Sequence, residues 1–303
     1  LAGLNMITWF HKHYSIIDLI NLVFIGVLII IFLFVVNRTP HILELIFIFF
    51  SSLGLIFLIG WVRNRKIASG WKKIIMSLYP VILLLGVFEV LHLMLPYFNP
   101  YRFDTLMAKF DFSLFGCYLN VWFEQWAHPF LTEIMYLCYI SYYFLFFIVL
   151  GWLYKNKMNK EIEQAILYFL VCFYGGYLLY FFVPVSGPRF FLADLQTIDL
   201  HGYFFAGPVR EFIDFLEPNK LDAFPSLHTA TLMTTLFVTY LNNKKMFYYF
   251  LPFAVGIIIS IFYCRYHYFI DFIAGLIWAI IAYWIGHIVY YKYHAKFIFH
   301  FKE

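Results

Sequence analysis

Apolar residues fill this chain in long runs separated by short polar stretches, and the spacing of those runs sets the first expectation. A helix needs about 20 apolar residues to cross a bilayer. Such runs lie at 16–36, 42–62, 74–95, 133–153, 162–183, 225–241, 247–264 and 268–291, the sixth and seventh being the shortest. The pattern predicts an all-α fold, a polytopic transmembrane bundle of about eight helices. No repeat or low-complexity linker divides it. Residues 1–96 form its N-terminal helices and 97–303 carry most of its polar motifs, within what reads as one continuous bundle. The stretch 96–132 is too polar for two crossings. Its alternation of charge with Trp122 and Trp126 predicts amphipathic helices lying in the interface. Such helices serve either as a platform for a lipid headgroup or as a packed anchor for their neighbours.

Composition sharpens this picture. The 303 residues are 64% hydrophobic and 13% charged, roughly half the charged fraction of a soluble domain, which excludes a soluble globular core. The net charge of +4 is small. No basic run interleaved with aromatics points to nucleic acid. Cys117, Cys138, Cys172 and Cys264 form no Cys-x-x-Cys pair, so neither a disulfide framework nor a metal site is expected. The chain begins at Leu1, which raises a truncated or unusual start. No small-residue cleavage signal follows the first apolar run, so that run reads as an anchor rather than a leader.

Lysine and arginine set the expected orientation. With eight crossings, fourteen basic residues fall on the side of both termini and seven on the other. Both termini are then cytoplasmic, and the polar motifs face the extracytoplasmic side, periplasmic or lumenal.

Those motifs sit in two stretches, Asp222-Ala-Phe-Pro-Ser-Leu-His228 and Arg265-Tyr-His-Tyr-Phe-Ile-Asp271. Pro225 suits the first position of a helix, with Asp222 as a candidate cap. Ser226 and His228 then lie in the first turn, where free N–H groups and the helix dipole favour an anion. His267 and Asp271, four apart, share a helix face. There the carboxylate can hold Nδ1–H and leave Nε2 free as a nucleophile. Arg265 and Arg189, the latter after the turn Pro184-Val-Ser-Gly-Pro188, supply forks for phosphate oxygens. Two histidines, a carboxylate and two arginines on one face are what phosphoryl transfer through a phosphohistidine requires. Glu89 and His92 are a further ionisable pair in an apolar run. They either line a headgroup pocket or form a buried structural pair.

Phe-Pro-Ser-Leu-His (224–228) resembles the second signature of the type 2 phosphatidic acid phosphatase superfamily, usually Pro-Ser-Gly-His. His267-x-x-x-Asp271 resembles the end of its third signature, and Gly-Pro-Arg (187–189) a reduced first one. The chain departs from the pattern at Phe182, where a lysine is usual, in the order Pro188-Arg189, at Ile261, where the third signature has an arginine, and at Leu227 in place of glycine. The altered set, over about 97–290, is similar to the inositol phosphorylceramide synthase-like branch. The resemblance implies that His267 is the nucleophile, Asp271 its orienting partner and His228 the acid for the leaving group. Arg189, Ser226 and Arg265 then bind phosphate, with neither cofactor nor metal required. It also implies a lipid substrate such as phosphatidylinositol or another phospholipid, with transfer of the phospho-headgroup to a ceramide-type lipid. The alternative is a lipid phosphate or polyprenyl diphosphate phosphatase with water as acceptor. A reading of another class, a non-catalytic lipid-binding or transport protein, would need more ionisable residues inside the spans than Glu89 and His92.

Overall fold

A computed structural model describes residues 13–63, 65, 69–217 and 220–293, the side chains of 69, 70, 72, 73 and 77 excepted. The described residues form an all-helical protein with twelve α-helices: α1 (Ile16–Val35), α2 (Ile42–Arg63), α3 (Ser69–Phe98), α4 (Asp104–Phe115), α5 (Leu119–Trp122), α6 (Pro129–Lys155), α7 (Asn159–Phe182), α8 (Pro188–Phe191), α9 (Ala206–Leu216), α10 (Leu227–Asn242), α11 (Lys244–Tyr263) and α12 (Phe269–Tyr293). Seven of them, α1, α2, α3, α6, α7, α11 and α12, are long and apolar enough to cross a membrane. Their outward faces carry large apolar side chains such as Leu33, Phe34, Leu43, Phe47 and Phe50, the surface that hydrocarbon accepts. This is a polytopic integral membrane protein.

The sixth predicted run becomes α10, which has only 16 residues and is not among those seven. Threonines explain its placement. Thr231, Thr234, Thr235 and Thr239 are all buried, and each donates its hydroxyl to the carbonyl four residues back, at 2.7–3.0 Å. That pattern satisfies polar side chains inside a packed interior. α10 is a buried helix rather than a lipid-facing one.

The described residues fall into two compact units. Of the described residues, the first draws on those within 13–98, 153–174 and 282–293, and the second on those within 99–152 and 175–281. Within the first unit, Ser15 and Asp18 form a capping box that starts α1. Asp18 is fully buried and pairs with Arg63 and the Tyr79 hydroxyl. Arg63, counted above among the residues that set orientation, is therefore a buried structural cation.

The second unit holds every polar motif of the last third of the chain. The 96–132 stretch enters it as α4, α5 and a short 3-10 turn at Phe123–Trp126. Trp122 and Trp126 stay exposed while Asp104, Asp111, Asn120 and Glu124 turn inward. Each inward group bonds to the backbone of a distant segment: Asp104 accepts from Ser186 N–H, Asp111 from Phe269 N–H and Glu124 from Thr197 N–H, and Asn120 donates to Phe262 O. Of the two roles open to this stretch, the anchor is the one its buried side chains perform.

Candidate active site

Three loops of the second unit converge. The Pro184–Gly187 loop meets the 222–225 loop through a parallel bridge between Val185 and Asp222, with Ala223 N–H donating to Val185 O at 3.0 Å. The 222–225 loop leads into α10, and the 264–268 loop leads into α12.

Carboxylates from early in the chain hold these loops. Asp104 accepts the Ser186 and Gly187 N–H groups at 2.9–3.1 Å. Asp111 accepts the Phe269 and Ile270 N–H groups at the start of α12, at 2.7 and 3.2 Å. Glu133 does the same for Phe204, Phe205 and Ala206 at the start of α9. Each satisfies orphan donors of a helix or turn with a negative charge where the dipole favours one. Asn120 clamps the 264–268 loop from both sides, donating to Phe262 O and His267 O, each at 3.0 Å.

Arg265 has a structural role in this loop. α11 ends in a Schellman motif, with Tyr266 N–H on Ile261 O at 3.0 Å and Arg265 N–H on Phe262 O at 3.0 Å. Arg265 occupies the left-handed position, φ 66°, where glycine is usual. Its buried guanidinium is spent on Glu124 Oε1 (2.7 Å), Ile198 O (2.7 Å) and Gln196 Oε1 (3.2 Å). The predicted phosphate fork is thus a tie that fixes the turn two residues before His267. Arg189 too is engaged, bidentate to Asp214 at 2.5 and 2.8 Å and 3.3 Å from the Tyr266 hydroxyl. The Asp214 hydrogen bond holds its guanidinium above the ordinary arginine range.

At the centre lie the two histidines. His228 Nδ1 and His267 Nε2 are 3.1 Å apart. The other nitrogen of His267, Nδ1, is 2.9 Å from Ala223 O and 3.6 Å from Asp271 Oδ2. The i, i+4 pairing therefore exists, but the backbone carbonyl takes the Nδ1–H and Asp271 stands behind it. Asp271 Oδ2 instead accepts the Tyr268 N–H at 2.8 Å, capping the start of α12. Either way Nε2 keeps its lone pair. Burial drives the His267 imidazole down to about 4, against the opposing field of Glu217 and the Ala223 carbonyl, so it is neutral across the physiological range.

The remaining predicted residues are placed differently from expectation. Pro225 precedes α10 rather than starting it, and its bond to Phe224 is cis. Ser226, not Asp222, is the N-cap. Its fully buried Oγ accepts from Thr229 N–H and the Thr229 hydroxyl at 3.3 and 3.1 Å. The serine expected to touch phosphate is used by its own helix. Glu89 is exposed and His92 half-buried, with no hydrogen bond between them; both belong to the first unit.

Sequence reasoning missed Glu217 and three tyrosines of α6. The Glu217 carboxylate lies 3.4 Å from His228 Nε2 and accepts from the Tyr143 hydroxyl. The Tyr142 and Tyr139 rings pack on the His228 imidazole at 4.2 and 4.6 Å. Spacing of 3 and 4 along α6 was the available signal, but 25 tyrosines in the chain hid it. A polar cavity of about 210 Å³ opens nearby, lined by Tyr136, Arg189, Gln196, Asp199, Arg210 and Arg265. Among the described residues, no three His, Cys, Asp or Glu side chains are placed to share a metal ion.

The α10–α12 contact that sets the histidine spacing depends on Gly275. A Cβ there would meet Ser226 O at 2.5 Å and Thr229 Cβ at 3.0 Å. Gly275→Ala is expected to push the first turn of α10 away and destabilise the protein by ~1–3 kcal/mol. A thermal melt in detergent, run beside a turnover assay, checks this. An unchanged Tm would mean that the two helices are not closely seated.

The buried histidine pair thus joins α10 to the loop before α12, with the Asp271 carboxylate behind His267. The profile of the PAP2 superfamily matches residues 107–285, more than half of the chain, and the chain belongs to that superfamily. It is similar to the PA-phosphatase related-family protein of Dictyostelium discoideum, 32% identical over 169 residues, which are 48% of this chain and 30% of that protein. The chain thus spans less than a third of that relative's length. No solved structure matches it.

Proposed function

We propose that this chain cleaves a lipid phosphate ester through a phosphohistidine on His267 Nε2 and hands the phospho group to a second acceptor. The observation that carries the reading is the pairing of His228 with the lone-pair nitrogen of His267 at 3.1 Å, with Nδ1 anchored on Ala223 O. A neutral, oriented imidazole is a competent nucleophile. As the N–P bond forms, the P–O bond to the lipid alcohol breaks, and that oxygen takes a proton from His228. In the second step the acceptor hydroxyl gives its proton to His228 and attacks phosphorus, and the N–P bond breaks. Asp271 sits behind His267 to stabilise positive charge on the ring. Arg189 can meet phosphate once Asp214 yields it. The polar cavity beside it gives a headgroup room.

The finer reading is transfer of phosphoinositol from phosphatidylinositol to a ceramide-type lipid. It rests on the likeness of the 222–228 and 265–271 stretches to that branch. Hydrolysis, with water as acceptor, is favoured by the phosphatase named in the Dictyostelium relative. Labelled phosphatidylinositol, incubated with and without ceramide, separates the two. A new phosphoinositol-bearing lipid only with ceramide supports transfer; soluble product in both supports hydrolysis; no product from this or from phosphatidic acid sinks both. An active site on the extracytoplasmic face and cytoplasmic termini complete the proposal. They rest on the basic-residue asymmetry, which the buried Arg63 and Arg265 leave at thirteen against six, and on α10 crossing inside the bundle as an eighth segment; the ends 1–12 and 294–303, which carry part of that count, lie outside the described residues.

The pH dependence follows from His267. Its imidazole must be unprotonated to attack, so activity should fall as pH drops through about 4 and be insensitive to this group above it. An acid limb near 6.5, the ordinary histidine value, would mean that the nucleophile is not buried as described.

A further inference from the structure

The chain of donors and acceptors through the histidine pair leaves one proton to place. His267 Nδ1 donates to Ala223 O, so its Nε2 is an acceptor and His228 Nδ1 must be the donor across the 3.1 Å gap. A neutral His228 would then turn the bare lone pair of Nε2 toward the Glu217 carboxylate, 3.4 Å away. Both groups are largely buried, with side chains 10% and 19% exposed. Two acceptors facing each other in so dry a place repel. One of them carries a proton.

From this geometry we infer that Glu217 is a positioning residue that keeps His228 protonated, so that the leaving-group acid is loaded before the substrate arrives. The inference rests on the phosphohistidine reading and extends it to a residue outside the three motifs. The surroundings agree. The Tyr143 hydroxyl donates to Glu217 Oε1 and the Tyr139 hydroxyl approaches Oε2 at 3.5 Å, leaving the carboxylate as acceptor. The rings of Tyr139 and Tyr142 cover the imidazole, and an electron-rich ring face favours a cation. Burial alone would raise the Glu217 carboxyl; the charge and contact of His228 and the Tyr143 hydroxyl outweigh it and hold it below its usual range. Burial also pulls the His228 imidazole below the ordinary histidine range, and the charge and contact of Glu217 are what oppose that pull; the placement of the proton rests on the geometry of the two facing acceptors. The other groups around this pair are Tyr177 and Tyr180 from α7, Asp222 from the preceding loop, and Tyr266, His267 and Asp271 from the α12 side. Asp222 is pushed well above the carboxylate range by burial and by Glu217 itself, so it does not compete as the anion.

The proton balance fixes the test. Glu217 gives up nothing in the reaction. It stabilises the imidazolium whose proton goes to the departing oxygen and returns from the acceptor. Losing it should hurt in proportion to how much the leaving group needs an acid. In detergent-purified full-length protein, phosphatidic acid loses an alkoxide and 4-nitrophenyl phosphate loses a stable phenoxide. Glu217→Gln should lose at least about tenfold more kcat on the first than on the second. Its basic limb on phosphatidic acid should move to lower pH by about one unit, since the acid loses its proton sooner without the neighbouring charge. Tyr143→Phe, which only loosens Glu217, should move both in the same direction by less. Equal losses on the two substrates, or an unmoved basic limb, overturn the inference and leave the phosphohistidine intact. Turnover by His267→Ala on either substrate overturns the phosphohistidine, and the inference with it. So does a wild-type protein inert on both and on phosphatidylinositol with ceramide; for one active on the last alone, an unmoved basic limb of Glu217→Gln on that substrate overturns the inference.

Discussion

His267→Ala is expected to abolish turnover, with kcat at least about 10⁴-fold below wild type, as for enzymes stripped of a nucleophile. No other described side chain is placed to replace it. His228 has its Nδ1 on His267 and its Nε2 against Glu217, so it has no free lone pair facing the same space. The loss should come with loss of covalent label. Wild type quenched at alkaline pH after brief exposure to ³²P-labelled substrate should carry an acid-labile phosphate, and His267→Ala none. His228→Ala should still label, more slowly, and release the label slowly, because water then lacks a base. Label retained by His267→Ala would move the nucleophile elsewhere. Label on no variant, with normal turnover by wild type, would point to direct attack by water on the ester.

The same residue shows how far the sequence alone can be read. The spacing of His267 and Asp271 is local, and the turn entering α12 brings them to 3.6 Å, although Ala223 O rather than Asp271 takes the Nδ1–H. The long apolar runs are equally local, and seven of the eight became helices long enough to span. Most of the failures involve partners distant in the chain. Arg265 looks like a phosphate ligand until Glu124, 141 residues earlier, is seen to hold it. Ser226 looks like a donor to phosphate until the first turn of α10 claims it. Glu217 lies in a polar loop with no motif around it, and only the fold carries it to His228. The buried carboxylates Asp104, Asp111 and Glu124 read as surface charges of an amphipathic stretch, and Glu133 as the edge of a span. Nothing in that stretch says that their partners are backbone N–H groups about 70 to 160 residues away. α10 differs from the other seven in its 16 residues and in its buried threonines, which bond to their own helix and so cost little in a packed interior.

Arg265→Gly separates the two roles open to that arginine. The substitution suits the backbone, since glycine accepts φ 66° freely and an L-residue there costs ~1–2 kcal/mol. A purely conformational role would therefore make the variant more stable. The side-chain ties point the other way. Removing the guanidinium leaves Glu124 buried beside Ile198 O and Gln196 without its cation, and breaking such a pair costs ~3–5 kcal/mol. The net expectation is a loss of ~1–4 kcal/mol, read as a lower Tm in detergent, with turnover falling because the turn that aims His267 loosens. Arg265→Gly combined with Glu124→Gln removes the stranded charge and should recover part of the Tm. A ligand of the phosphate group would behave differently. Arg265→Gly would then keep its Tm, KM would rise, and Glu124→Gln would rescue nothing. The double variant decides, because only a structural pair makes the second loss compensate the first.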